Sequence, residues 1–444
     1  MVASFATCAG SSRATAVRSP GRGGPGLRFS VAATVIVAVA IQLLQACTFG
    51  APGELQTPEK LYAILAAAPY ADDATVTGER WRVIDSTKLQ VDHGYTCASA
   101  KRAAAKEYLG MRVYGSATLP SNFDGTVLLN GWYLEYASGD HHVLGLGSVI
   151  FDIARNGTEL SWNAGGLLAD HRGDDEYSWC YHYTVVAWAK NVGPPIGGLP
   201  KPHVDMGAIH ADPTGKLVFV DKEVKSSRFT TKKARFKTTG APPAGRALAG
   251  FGVSFNDDDH HLLQFGLDLG EAQIKRKKIL WNTDVILKDN STRSYGLGEL
   301  ATILTGESVH VWKPGSVIRE SVTEEPMSRA NDLQLSAADD ANVCLGGYET
   351  SHTYSYKIEG VPFTWAVPML TGWEVGVACD DEHVKRIGAS IEDFAWERNP
   401  GDSTGTLYYT VRTILEDKNP DSELIDGLQV EVLGINLIEP PGNA

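Results

Sequence analysis

The chain lacks the short motifs by which most enzymes and nucleotide-binding proteins declare themselves. There is no Gly-x-Ser-x-Gly elbow, no His-Glu-x-x-His pair, no phosphate loop and no Gly-x-Gly-x-x-Gly opening a helix. Carboxylates are plentiful, yet no spacing singles out one pair, so a glycosidase reading has no residues to stand on. Positive charge is scarce: 40 Lys and Arg stand against 53 Asp and Glu, which argues against generic binding to nucleic acid. Cysteine is sparse too, with six in 444 residues. The most apolar run, Val31–Leu44, is about 14 residues, short of the roughly 18–20 that a spanning helix needs. Helical periodicity is confined to 57–67 and to Ala98–Tyr108.

What the N-terminus does contain is a secretory layout. Residues 1–46 carry Arg13, Arg18, Arg22 and Arg28, no acidic residue, and then the apolar run. The tetrad Leu44-Gln45-Ala46-Cys47 that follows resembles the lipobox of bacterial lipoproteins, with Gln45 departing from the pattern. The resemblance implies cleavage before Cys47, acylation of its thiol, and a membrane partner through the lipid anchor. Localisation is then the cell envelope, as an outer-membrane lipoprotein, and plain secretion is the alternative. Removing the leader's four arginines from a net charge of −13 leaves −17 on the mature part.

With Cys8 in the leader and Cys47 lipidated, four cysteines remain: Cys97, Cys180, Cys344 and Cys379. In an oxidising compartment they are expected to form two disulfides, one pair toward each end of the mature chain. Four buried thiols are the alternative.

Internal repetition is the strongest signal. GWYLEYASGDHHVLGLG from Gly131 returns as GFGVSFNDDDHHLLQFG from Gly250 and as GWEVGVACDDEHVKRIG from Gly372. Asp140 and Asp259, His142 and His261, Trp162 and Trp281, and Asp170 and Asp289 are each 119 residues apart. In each copy alternate positions are apolar: Trp132, Leu134 and Tyr136; Phe251, Val253 and Phe255; Trp373, Val375 and Val377. A period of two marks a strand with one buried face. The second apolar segment of each copy reads as the antiparallel neighbour of the first, across a turn. Breaks at Val192–Lys201 and near Lys313–Gly315 suggest three tandem antiparallel β-sandwich-like domains, over 47–195, 200–315 and 316–444, with short helices only in the first.

The motif kept in all three copies is Asp-x-His: Asp140 with His142, Asp259 with His261, and Asp381 with His383. Residues i and i+2 of a strand point the same way, so carboxylate and imidazole can converge on one ion or ligand. Equally, the Asp can accept backbone N–H groups of the turn and hold the His, a purely structural lock. Two ligands are too few for an ion, and no third is obvious within a copy. No cofactor is called for, although a divalent cation such as calcium is compatible with the acidic groups at Asp170, Asp174, Asp175 and Glu176, at Asp289, and at Glu416, Asp417 and Asp421. Those groups read mainly as solvated turns. A basic stretch, Lys222–Lys237, gives residues 201–315 seventeen basic against thirteen acidic side chains, a pattern suited to guarding a sheet edge.

In the first copy Val185-Val186-Ala187-Trp188-Ala189, preceded by Asn156-Gly157-Thr158 and Trp162, resembles the closing strands of the H-type lectin domain. That resemblance implies a small β-sandwich, assembly in threes and binding of sugars, so three tandem copies would imitate a trimer in one chain. The expected function is a non-enzymatic envelope or secreted binding protein, with carbohydrate or an envelope protein as partner and aromatics such as Tyr133 as contacts. A structural or assembly scaffold is the alternative, and a hydrolase with a non-standard site a further one.

Overall fold

A computed structural model describes residues 68–99, 110–139, 141–170, 175–189, 210–211, 228–230, 234–237, 247–255, 261–269, 273–275, 278–281, 283–289, 296–303, 305–306, 350–361, 364–377, 383–401, 404–417 and 424–435. Among them the fold is all-β, with one 3-10 turn, Asp73–Thr75, and no α-helix. The stretch 57–67 lies outside the described residues. Of Ala98–Tyr108, the first two residues complete a strand and the rest lies outside as well.

A leading hairpin consists of β1 (Thr77–Asp85) and β2 (Leu89–Ser99). The first repeat follows as β3 (Met111–Thr118), β4 (Phe123–Tyr136), β5 (Gly145–Asn156), β6 (Glu159–Ala169) and β7 (Tyr177–Ala189). The second begins with short strands, β8 (His210–Ala211), β9 (Arg228–Thr230) and β10 (Ala234–Lys237), and continues through β11 (Ala247–Phe255), β12 (Gln264–Leu269), β13 (Gln273–Lys275) and β14 (Lys278–Trp281). It closes with β15 (Thr283–Lys288), β16 (Gly296–Ile303) and β17 (Thr305–Gly306). The third comprises β18 (Ser351–Val361), β19 (Trp365–Val377), β20 (Arg386–Arg398), β21 (Gly405–Glu416) and β22 (Leu424–Ile435).

The alternation read from the sequence holds: Trp132, Leu134, Tyr136, Phe251, Val253, Phe255, Trp373, Val375 and Val377 are all buried. The expected pairing of each repeat's first and second strands does not. Instead β5 pairs with β11, β12 with β19, and β20 with β4, so every second strand joins the first strand of another repeat, in a closed cycle. The register is the same at each junction: Ser148 faces Phe251, Leu267 faces Trp373, and Ala389 faces Trp132. Three composite sheets result, in the orders β1-β2-β7-β4-β20-β21-β18, β16-β11-β5-β6-β3 and β22-β19-β12-β15-β9.

The physical reason is the connection. β4 and β5 are separated by eight residues, and in the described part after residue 140 His141 and Val384 exchange backbone hydrogen bonds at 3.0 and 2.8 Å. Two-residue turns fold a strand back on itself, whereas this longer link delivers the chain to the neighbouring sheet. The three repeats are therefore interlocked about a common axis, and Ala51–Ala444 forms one compact unit. A single apolar cluster draws on all three repeats. Close strand contact at one junction requires glycine: a Cβ on Gly388 would lie 2.1 Å from the Tyr133 ring.

Cys97 and Cys180 are disulfide-bonded and directly opposed on β2 and β7, as expected for the first pair. Cys47, Cys344, Cys379 and both expected domain boundaries lie outside the described residues. The basic strands β9 and β10 are edge strands of their sheets, the position at which charge discourages unwanted pairing.

Candidate metal centre

The cyclic register places His142, His261 and His383 ahead of β5, β12 and β20, and therefore around the same axis. Their ring centroids are separated by 4.4 Å (His142–His261), 4.8 Å (His142–His383) and 4.4 Å (His261–His383). One nitrogen from each ring lies within 4.8 Å of one from the other two, and all three residues are partly exposed. A matching aromatic trio, Trp132, Phe251 and Trp373, comes from the three first strands, with centroids 4.8, 4.8 and 5.6 Å apart. The third ligand that no single repeat supplies thus comes from the other repeats.

Three imidazoles are a donor set for zinc, cobalt, nickel or copper. Calcium, which takes six to eight oxygen ligands, does not suit them. Zn–N bonds of about 2.0–2.1 Å in tetrahedral geometry bring ligand nitrogens to roughly 3.3 Å of one another, a contraction of at most about 1.5 Å from the 4.8 Å within which they lie. Each ligand sits at the mouth of a strand that is paired on both sides. The fourth tetrahedral position is left for water or an outside ligand. Asp140, Asp259 and Asp381, the other half of the repeated motif, lie outside the described residues.

Other functional-looking groups were not legible beforehand. His93 is fully buried: its Nε2–H donates to the Ile391 carbonyl at 3.1 Å, and its Nδ1 accepts from the Thr184 hydroxyl at 2.9 Å. Thr184 in turn accepts from Asn130 Nδ2 at 2.6 Å, and Asn130 also bonds the backbone of Pro368 and Leu370. This chain ties β2, β4 and β7 to β19 and β20. Burial depresses the His93 pKa to about 3, and the nearby His182 adds to the effect, so the ring is neutral.

Next to it, Tyr133 and Ser390 hydroxyls donate to the Glu392 carboxylate, with His182 Nε2 4.0 Å from that carboxylate. Burial pushes Glu392 up, but His182, the two hydroxyls and Arg412 outweigh it and hold the carboxyl below its ordinary range. Burial depresses the pKa of His182. Tyr133, expected as an exposed contact, is half-buried with its hydroxyl engaged, which removes it as a free ligand platform. Asp170 and Asp289, read from sequence as solvated turn residues, are buried at 7% and 5% exposure. The reason lies within each repeat, where the end of the third strand is bonded to the link carrying the His: Leu144 N–H bonds Ala169 O, and Leu263 N–H bonds Lys288 O.

No known protein family, curated protein or solved structure matches the chain, so the geometry alone carries the functional reading.

Proposed function

We propose that this protein is a non-enzymatic binding protein of the cell exterior, whose three β repeats are clamped about one divalent transition-metal ion held by His142, His261 and His383. The convergence of one imidazole from each repeat on a common point carries the reading. An ion bonded to all three stabilises the closed cycle over any arrangement in which one repeat opens. The secretory leader and the Cys97–Cys180 disulfide support an oxidising, extracytoplasmic setting, with Cys47 as the lipid anchor. Carbohydrate or another envelope component is the partner class, in keeping with the resemblance to lectins that assemble in threes. Elemental analysis with and without chelator tests the clamp: at least one equivalent of a zinc-class metal is expected, lost on chelation together with a drop in melting temperature, and one equivalent fewer in His261→Ala. Less than one equivalent of any divalent metal would remove the reading.

A three-imidazole donor set, which would leave a bound zinc one position for water, supports a second reading, a hydrolase. A cation held by three neutral imidazoles lowers the pKa of a bound water toward 7. Turnover of activated esters by zinc-loaded protein, abolished by His261→Ala, would favour it over the clamp alone.

A further inference from the structure

Beside the axial histidines lies a second set of ligand atoms with different chemistry. His141, Asp170 and Asp175 each offer one atom, and the three atoms lie within 4.8 Å of one another. Neighbouring residues in an extended segment point to opposite sides, so His141 faces away from the axis that His142 faces. Two backbone bonds build the site. Leu144 N–H to Ala169 O fixes Asp170 at the end of β6, and Ala137 N–H to Glu176 O at 2.8 Å folds Asp175 back over the turn.

The hydrogen-bonding of His141 bears on what belongs there. Its Nε2 is 2.8 Å from the Ser138 carbonyl, which can only accept, so that nitrogen carries a hydrogen. The other ring nitrogen, Nδ1, stands 3.2 Å from the Asp175 carboxylate, beside the buried Asp170. The ring is thus anchored through Nε2, with Nδ1 directed at the two carboxylates, where one cation would reach all three ligand atoms. One imidazole with two carboxylates is a harder donor set than three imidazoles, suited to Mn²⁺ as well as Zn²⁺, with water completing the shell.

We propose that His141, Asp170 and Asp175 form a second divalent-metal site, oxygen-rich and independent of the axial one. The inference goes beyond the three-histidine clamp and does not require it. The sequence equivalents of His141 are His260 and Glu382, so any corresponding sites in the other repeats have a different donor set.

The test is a titration of the metal-free full-length chain with Mn²⁺, following the paramagnetic resonance signal of the free ion. Wild type and His261→Ala, which lacks an axial ligand, are expected to deplete the signal by the same single equivalent. Asp175→Asn and His141→Gln are expected to weaken that uptake at least tenfold, with melting curves of the apo forms close to wild type. Should Asp175→Asn fail to fold, His141→Gln carries the comparison. No uptake by wild type, or equal uptake by wild type and both variants, overturns the second site. Zinc content unchanged by His261→Ala overturns the axial clamp instead, so the two failures are distinct.

Discussion

Around the axis, Trp132, Phe251 and Trp373 fill one repeated position, and His142, His261 and His383 another. Where the same first strands meet the neighbouring repeat, glycines 131, 250 and 372 face Ser390, Val149 and Asp268, which share no chemistry. A similar contrast separates the first and third repeats. Trp179 packs on Gly166 and donates to Ser148 at 3.1 Å, whereas the corresponding region of the third repeat holds Asp426 with the Thr413, His352 and Tyr354 side chains bonded to it. Atoms near the axis answer to three repeats at once, so a change there disturbs every junction. Outer positions answer to one junction and are free to diverge.

The largest effect expected from this contrast is at the aromatic trio. Trp373→Ala should cost about 3–5 kcal/mol of unfolding free energy in denaturant titration, while Tyr114→Ala, at 56% exposure, should change it by less than about 0.5 kcal/mol. Comparable losses at both positions would erase the distinction.

Reducing Cys97–Cys180, whose cysteines are 83 residues apart in sequence, should destabilise by roughly 2–5 kcal/mol without moving the zinc content, because the bond joins β2 to β7 and not the repeats to one another. Loss of metal on reduction would mean the leading hairpin also organises the axis.

A smaller effect is pH-dependent. The unfolded His93 titrates near 6.5 and the folded one at about 3, so below pH 6.5 the unfolded chain binds a proton that the native state refuses. The contribution of His93 is complete above pH 6.5 and is lost progressively toward pH 3, by about 1.4 kcal/mol per pH unit. The shift of His182 has the same sign. Urea midpoints at pH 7, 5.5 and 4 should fall less steeply in His93→Gln than in wild type, and parallel slopes would refute the assignment.

The smallest is Tyr133→Phe, which removes one hydroxyl from Glu392 and should cost about 1–2 kcal/mol in the same assay. A neutral result would indicate that water replaces it.

Much of the fold is written in the sequence. The 119-residue spacing and the alternation at Trp132, Leu134 and Tyr136 identify the strands and their buried faces, and Cys97 with Cys180 is a pair one can name in advance. Partner choice is not written there, because alternation specifies which face is buried and says nothing of which strand lies alongside. Hence the first and second strands of a repeat look like a hairpin and are not one. The metal centre was half legible for the same reason: His142, His261 and His383 are conspicuous one at a time, but their meeting depends on the cyclic pairing. His93 and His182 carried no signal, since each owes its character to residues such as Ile391 and Glu392 two hundred or more positions away.

Crystals grown with zinc and measured on both sides of its absorption edge give the most direct test. The interlocked arrangement predicts an anomalous peak on the axis, about 2.0–2.1 Å from one nitrogen of each of His142, His261 and His383. Zinc bound by imidazoles from only one repeat, or the three rings found apart, would contradict it.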